Sequence, residues 1–432
     1  MGSNLRKVAV VGLGYVGLPL ALAFSKQGNE VIGIDLDDRK LQALEQGRSY
    51  IKDIPDEQVK MAFERQRFSA TKDMRRLREA DVIIICVPTP LTEDNEPDLT
   101  YLMQAAANIR DHLRIGQIIV LESSTYPGTT REVLKPTLEQ SGLIVGTDIF
   151  LGYSPERVDP GNRSYPLEVI PKVISGITEK CASAVEDVYK TVFQTVVKIS
   201  STDAAEMTKL LENTYRFVNI SFINEIAQLC TSMGIDVWEV IEAARSKPFG
   251  FSAFFPGPGV GGHCIPVDPL YLQWRSKQFG AASSFIAISR EINHKMPVYI
   301  VDRIKEALAR ESLTGVKILV VGVTFKPNID DIRESSSIEV MKLLQQEGAL
   351  LSYYDPYVPE ITLQGKKLTG TRLSENELCL ADCAIIAVNH DELPLQRIID
   401  YVPLVYDTRN ALKGMSGKAK VIRLGGGVSD SN

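Results

Sequence analysis

The sequence predicts an α/β protein with two doubly wound parallel-sheet domains joined by a long central helix and a helical middle domain. Three observations carry that prediction. Fully apolar runs of strand length alternate with helical stretches. A long helical stretch without glycine or proline occupies the middle of the chain. The opening pattern then returns in the last third.

Lys7 to Val11 reads as a buried strand, and Gly12-Leu-Gly-Tyr-Val-Gly17 follows it directly. A helix from about Leu18 to Gln27 is ended by Gly28, and Val31 to Ile34 forms the next strand, closing on Asp35. Ala80 to Val87 and Ile118 to Leu121 are further apolar strands. Strands with no polar alternation are covered on both faces, which is the mark of a parallel sheet. The uncharged run from Val8 to Phe24 behind Arg6 and Lys7 has the charge pattern of a signal peptide, but its glycines and Pro19 suit a strand, tight turn and helix start better. No other run reaches membrane-spanning length.

From Thr202 to about Met233 the apolar positions Met207, Leu210, Leu211, Tyr215, Val218, Phe222, Ile226 and Leu229 recur at three- and four-residue steps. A helix of this length bridges domains or forms the seam of a homodimer or larger oligomer. A second helical stretch covers Asp236 to Arg245, and a Gly/Pro-rich loop covers Pro248 to Pro258. The segment Gly259-Val-Gly-Gly-His-Cys-Ile-Pro-Val-Asp268 follows, and helices resume to about Glu311. Lys317 to Gly322 then echoes Lys7 to Gly12, and Ala381 to Val388 echoes Ala80 to Val87. The second copy carries Val323-Thr-Phe-Lys-Pro327 where the first has its glycines, which suits a mononucleotide better than a dinucleotide. The expected domains are 1–200, 201–312 and 313–432.

Composition excludes several classes. With 432 residues and a formal charge of −6, the chain has no broad basic surface for nucleic acid, so an anionic ligand needs a local basic pocket. The six cysteines fit neither a secreted framework nor zinc spacing, and the four histidines form no metal-binding pattern. Reduced thiols in the cytoplasm, no metal and no membrane partner are expected.

Gly12, Gly14 and Gly17, with Tyr15 and Val16 between them, stand between a strand and a helix. Glycines in that place serve a tight turn, close approach to a pyrophosphate, and helix-on-strand packing. Asp35 lies about 20 residues further on at a strand end, where a carboxylate accepts from ribose hydroxyls and repels a 2′-phosphate. NAD is therefore favoured over NADP. Arg39 points the other way, since an arginine there serves a 2′-phosphate, and a plain turn role for Asp35 stays open. Pro88 and Thr89 end an apolar strand beside the expected cofactor crevice; Thr89 as a simple turn residue is the alternative.

Cys264 follows three glycines and His263 in a loop permissive of close approach to the backbone. A cysteine so placed is a nucleophile if its thiolate is stabilised; a small buried apolar cysteine is the alternative.

Several motifs in order now make a pattern: Gly12 to Gly17, Ser154-Pro-Glu-Arg157, Lys209-Leu-Leu-Glu-Asn213, Gly261-Gly-His-Cys264 with Asp268, and Phe325-Lys-Pro327 with Arg333-Glu-Ser335. From about residue 5 to about residue 425 the chain resembles the UDP-glucose/GDP-mannose dehydrogenase family, which implies two Rossmann-like domains and oxidation of a sugar alcohol to an acid with two NAD. On that resemblance Cys264 captures the aldehyde, and Lys209 and Asn213 stabilise an oxyanion. Asp268, Glu156 and Thr125 manage protons and water, and Lys326, Arg333 and Arg409 contact uridine diphosphate. Residue by residue, plainer readings stand beside these: an exposed helix face for Lys209 and Asn213, a loop ion pair for Glu156 and Arg157, solvated charges for Lys326 and Arg333, and an Asp407 partner for Arg409.

Val267 stands where UDP-glucose members of the family usually carry lysine. With His263 and the loop Phe249 to Pro258, this resembles the UDP-N-acetylhexosamine branch. Ile265-Pro266 and the Phe-rich loop look most like its UDP-N-acetylglucosamine enzymes. Phe254 and Phe255 offer apolar cover for an acetyl methyl or belong to the core; His263 bonds substrate or caps the loop. UDP-N-acetylmannosamine, UDP-N-acetylgalactosamine and UDP-glucose remain alternative substrates. A one-step NAD dehydrogenase and a non-catalytic NAD-binding sensor are the rival readings; neither needs the Cys264 loop.

Overall fold

Runs of valine, isoleucine and leucine build two parallel sheets, one in each of two units. The computed structural model describes residues 5–158, 165–262 and 264–427, with Cys264 described by its backbone alone. The units are Met1–Asn213 with Val267–Ala282, and Thr214–Pro266 with Ser283–Asn432.

The first unit holds β1 (Lys7–Val11), β2 (Glu30–Ile34), β3 (Phe68–Thr71), β4 (Val82–Ile85), β5 (Ile118–Leu121), β6 (Phe150–Tyr153), β7 (Lys172–Gly176) and β8 (Val196–Lys198). Their order is β3-β2-β1-β4-β5-β6-β7-β8, with every neighbouring pair parallel except β6 and β7. Side chains alternate across a strand, so Val8 and Val10 enter one apolar core while Ala9 and Val11 enter the other. Both faces being covered, polar alternation has no place in β1, and each buried valine contributes roughly 1.5–3 kcal/mol. The uncharged N-terminal run becomes β1, a turn and the helix Gly17–Lys26. Chain order reverses at β1, between β2 and β4, which opens the crevice where such sheets bind ligands.

The second unit holds β9 (Lys317–Val321), β10 (Leu350–Tyr354), the antiparallel hairpin β11 (Glu360–Leu363) and β12 (Lys366–Thr369), then β13 (Cys383–Ile386), β14 (Leu404–Asp407) and β15 (Lys420–Arg423). The parallel sheet runs β10-β9-β13-β14-β15. Its middle strands bury alternate residues into two cores as β1 does: Ile318 and Val320 in one, Leu319 and Val321 in the other.

The central helix spans Thr202–Met233, 32 residues, with the bounds its uninterrupted pattern predicts. Its buried side is not the stripe read from the sequence. Leu210, Phe217, Ile223, Ala227 and Cys230 are buried, whereas Leu211, Tyr215, Phe222, Leu229 and Met233 stay exposed. Asp236 caps the next helix, Val237–Arg245, by accepting from Trp238 N. Cys264 opens the helix Cys264–Gln278 rather than lying in an extended loop. Among the described residues no helix is long and apolar enough to cross a membrane.

Candidate active site

The turn after β1 needs its glycines for three distinct reasons. Gly12 has φ +93°, and a Cβ there would lie 2.5 Å from the carbonyl oxygen of Cys86 on the neighbouring strand end. At Gly17 a Cβ would lie 1.8 Å from the Gly12 carbonyl oxygen. A Cβ on Gly14 would meet nothing within 4 Å, so this backbone faces open space at the mouth of the crevice. Two glycines therefore close the turn and seat the helix, and the third leaves room for a phosphate bridge above the helix N-terminus. The residues fit a dinucleotide. Tyr15 and Val16 are half-buried beside Gly14, and Pro88 is exposed. Thr89 is buried, its hydroxyl donating to Ser124 O at 2.6 Å while its carbonyl accepts from Tyr271.

Asp35 is buried at the end of β2. Its Oδ2 accepts from Leu13 N (2.9 Å) and Lys40 Nζ (2.8 Å), and its Oδ1 accepts from Asp37 N (3.0 Å). It ties the glycine turn to the sheet. Arg39 turns away from it: the guanidinium is exposed and doubly bonded to Asp37. Lys40, not Arg39, is the cation at Asp35.

In the same unit the structure gathers Glu156, Lys209, Asn213 and Asp268, all buried. The exposed-face reading of Lys209 and Asn213 is therefore set aside. Asn213 Nδ2 donates to Asp268 Oδ2 at 2.6 Å, and Lys209 Nζ donates to the Glu156 carbonyl oxygen. Glu156 Oε1 accepts from the amides of Arg157 (2.7 Å) and Val158 (2.6 Å). Burial works against its charge, but Lys172, the Val158 amide, Lys209 and the Arg157 amide outweigh it and hold the carboxyl below the usual range. Burial pushes Asp268 up to about 6, opposed by Lys209 and the Asn213 bond. One carboxylate is thus kept charged and its neighbour is poised near neutrality, the division that acid–base catalysis needs. Arg157 forms no pair with Glu156; it binds Glu212 at 2.7 Å and Pro171 O at 2.8 Å. Thr125 is buried and its hydroxyl lies 2.6 Å from that of Thr129, which itself donates to Tyr126 O. The Thr125 proton is therefore committed to Thr129, and its oxygen is left as an acceptor.

In the second unit, Gly261 and Gly262 have a packing reason to lack side chains. A Cβ on Gly261 would lie 2.4 Å from Glu334 O, and one on Gly262 would lie 2.8 Å from the Phe325 ring. Gly262 N donates to Arg333 O at 3.0 Å. This docks the segment before Cys264 on the loop carrying Lys326 and Arg333. Lys326 is half-buried, and Arg333 is exposed with its guanidinium on Asp331. Arg409 does not pair with Asp407 through its side chain; Nε donates to Ala387 O at 2.9 Å, and burial pushes its pKa down to about 10, with Asp407 opposing. Phe254 is half-buried, packing edge-on against Tyr215 and onto the small core around Trp238 and Ile241, whereas Phe255 stacks on Trp238 and stays exposed. His263 lies outside the described residues, and of Cys264 the backbone alone is described.

Sequence reasoning missed several groups. Glu122, Lys172 and Tyr189 form a buried cluster against Glu156. Glu206 accepts from Gly128 N (2.6 Å), Thr130 N (2.8 Å) and Thr130 Oγ1 (2.6 Å), fixing the turn after Thr125; burial pushes its carboxyl up to about 7. Asn224 accepts from Gly257 N at 2.9 Å while its Nδ2 is buried without a partner. The legible signal was a lone charge opening or closing an apolar strand, as Lys172 and Glu122 do.

Three family models cover almost the whole chain: the NAD binding domain of the UDP-glucose/GDP-mannose dehydrogenase family over residues 6–193, its central domain over 203–295 and its UDP binding domain over 319–414. The UDP-N-acetyl-D-glucosamine 6-dehydrogenase of Pseudomonas aeruginosa is 39% identical over 82% of this chain and 83% of its own. The UDP-N-acetyl-D-mannosamine dehydrogenase of Escherichia coli (strain K12) is 36% identical over 89% of this chain and 94% of its own. The solved UDP-D-ManNAc dehydrogenase of Pyrococcus horikoshii matches with a TM-score of 0.87 at 31% identity, covering 97% of this chain and 99% of that one. With a glycine turn that fits a dinucleotide, a buried acid–base cluster and all three domains matched, the chain belongs to the UDP-glucose/GDP-mannose dehydrogenase family and is an NAD-dependent oxidoreductase.

Proposed function

We propose that this chain oxidises the C6 alcohol of UDP-N-acetyl-D-glucosamine to a carboxylate in two hydride transfers, through a thioester on Cys264. The observation that supports it most is the buried cluster of Glu156, Lys209, Asn213 and Asp268, with Asn213 bonded to Asp268. A one-step alcohol oxidation needs a base; a buried ammonium, carboxamide and two carboxylates of different proton affinity are equipment for a longer sequence. NAD, when bound, accepts the hydride from the sugar carbon in each oxidation. Asp268, poised near neutrality, takes the alcohol proton. The Cys264 thiolate adds to the resulting aldehyde: the S–C bond forms as the carbonyl pair moves to oxygen, where Lys209 and Asn213 stabilise it. Loss of the second hydride leaves a thioester. Thr125 accepts from a water and orients it, Glu156 takes its proton as it attacks the thioester carbon, the C–S bond breaks, and the thiolate leaves. Cys264 opens a helix, and helix N-termini favour thiolates over thiols.

In this reading 1–200 binds NAD, 201–312 carries Cys264 and the oligomer seam, and 313–432 binds the UDP end through Lys326, Arg333 and Arg409. Phe254, Phe255, Gly261 and Arg157 are assigned to the sugar, with His263, which lies outside the described residues, assigned to it from its place beside Cys264 in the sequence. The enzyme works in the cytoplasm as a homodimer or larger oligomer. The choice of N-acetylglucosamine rests on Ile265-Pro266 and the Phe-rich loop. The names of the E. coli and P. horikoshii relatives favour the manno epimer as the second reading. The test is NADH formed per sugar nucleotide over UDP-GlcNAc, UDP-ManNAc, UDP-GalNAc and UDP-glucose. Two NADH with the highest kcat/KM on UDP-GlcNAc is expected. A higher value on UDP-ManNAc replaces the sugar, and one NADH overturns the thioester sequence.

A further inference from the structure

Lys172 is a second buried cation in this cluster that none of these roles uses. It opens β7 and is 3% exposed. Its ammonium has three protons and three acceptors around it: Glu122 Oε2 at 2.7 Å, Pro155 O at 3.4 Å and Glu156 Oε2 at 3.5 Å. The Tyr189 hydroxyl donates to the other oxygen of Glu122, and the rings of Tyr189 and Phe193 lie 5.2 and 5.3 Å from the ammonium. The two lysines near Glu156 divide the work. Lys209 binds its carbonyl, and Lys172 faces its carboxylate.

We propose that Lys172, clamped by Glu122 and Tyr189, is a positioning residue that holds Glu156 Oε2 in place for the hydrolytic half of the reaction. The inference rests on the reading of Glu156 as the group that activates water. The amides of Arg157 and Val158 fix Oε1, so one oxygen is set by the backbone and the other by Lys172. The charges and titratable groups facing Glu156 are Lys172 from β7, Lys209 from the central helix, Glu122 after β5, Tyr153 from β6, Tyr189 from the helix Glu179–Tyr189 and Cys86 after β4. Without Lys172, Glu156 loses the cation that does most to offset its burial. Glu156 then binds its proton more tightly, and the acid limb of the rate moves to higher pH.

The experiment compares Lys172→Met, Lys172→Arg and Glu156→Gln by rapid mixing with UDP-GlcNAc and NAD, with thermal melts alongside. Lys172→Met should give the wild-type burst of two NADH per site and then a steady state slowed about tenfold or more, since general-base assistance is worth about 10²–10⁴-fold. Its acid limb should lie at higher pH with KM little changed, and Lys172→Arg should restore both. If Lys172→Met does not fold, Lys172→Met with Glu122→Gln removes both buried charges and is read the same way. A folded Lys172 variant with the wild-type steady state and acid limb, beside a slow Glu156→Gln, overturns the inference while leaving Glu156 standing. Wild-type hydrolysis by Glu156→Gln overturns the role of Glu156 itself, and the inference with it.

Discussion

Replacing Asp268 by asparagine removes a charge that the fold disfavours and keeps an oxygen to accept from Asn213 Nδ2, now 2.6 Å from Oδ2. The carboxyl is pushed from 3.8 to about 6, chiefly by burial. At 1.36 kcal/mol per pKa unit, the ionised group costs the native state about 3 kcal/mol. The sign follows from linkage. The folded pKa is raised, so the native chain binds the proton more tightly than the unfolded chain does. The favourable contribution is whole below about pH 4 and is lost as pH rises through about 6. Asp268→Asn cannot ionise, so it should match wild type near pH 4 and exceed it by up to about 3 kcal/mol above pH 7, roughly 5–10 °C in melting temperature for a unit of this size. Activity should move the other way, falling about 10²–10⁴-fold as the base is lost. Calorimetry of both proteins from pH 4 to pH 8 tests this. A stability difference that does not change with pH, or a variant less stable at pH 8, would refute the view that Asp268 is held at an electrostatic cost for catalysis.

Asp35→Ala should weaken NAD by about 10- to 150-fold, since a hydrogen bond to a charged group is worth about 1.5–3 kcal/mol, and should narrow the gap to NADP by freeing Lys40; tighter wild-type binding of NADP than NAD in titration calorimetry would contradict it. Phe222→Glu or Leu229→Glu, on the exposed apolar stripe of the central helix, should convert the oligomer to monomer in sedimentation, while a fully active wild-type monomer would remove the seam altogether. Cys264→Ser should burst once and stall as an ester visible by intact mass, because an ester hydrolyses more slowly than a thioester, and Cys264→Ala should form no acid; wild-type acid formation by both would exclude the nucleophile.

The sequence revealed elements wherever a local pattern alone decides them. The central helix could be bounded at Thr202 and Met233 because nothing between them breaks a helix, and Ile118 to Leu121 because an apolar run of that length has one use in a parallel sheet. Which side of the central helix is buried was not legible. Glu206, Lys209 and Asn213 lie inward while Leu211, Tyr215 and Phe222 face out, so on this helix polarity ran opposite to burial. Glu122, Lys172 and Tyr189 meet only because β5, β6 and β7 are neighbours, a pairing that no spacing in the chain records. The glycines before Cys264 suggested ligand approach, whereas the structure fills their missing side chains with Phe325 and Glu334.

The repeated halves separate what the fold requires from what the cofactor requires. Gly12 N donates to Ile34 O at 2.7 Å, and Gly322 N to Tyr354 O at 2.8 Å. Asp35 accepts from Leu13 N and Asp37 N, and Asp355 accepts from Val323 N and Tyr357 N at like distances. Each aspartate also holds a basic residue, Lys40 in one half and His390 in the other. An acid at the end of the second strand is thus first a clasp for the turn, and its presence alone does not mark a dinucleotide site. The difference lies one residue beyond the clasp. Where Gly14 faces open space, the second half has Thr324, buried and bonded through its hydroxyl to Lys326 O at 2.9 Å. The helix then begins at Gly17 in the first half but not until Ser336 in the second. An early helix brings its N-terminus and bare backbone to a pyrophosphate. The delayed one leaves a loop that carries Lys326 and Arg333, the side chains proposed to meet the diphosphate, with the Arg333 guanidinium held on Asp331.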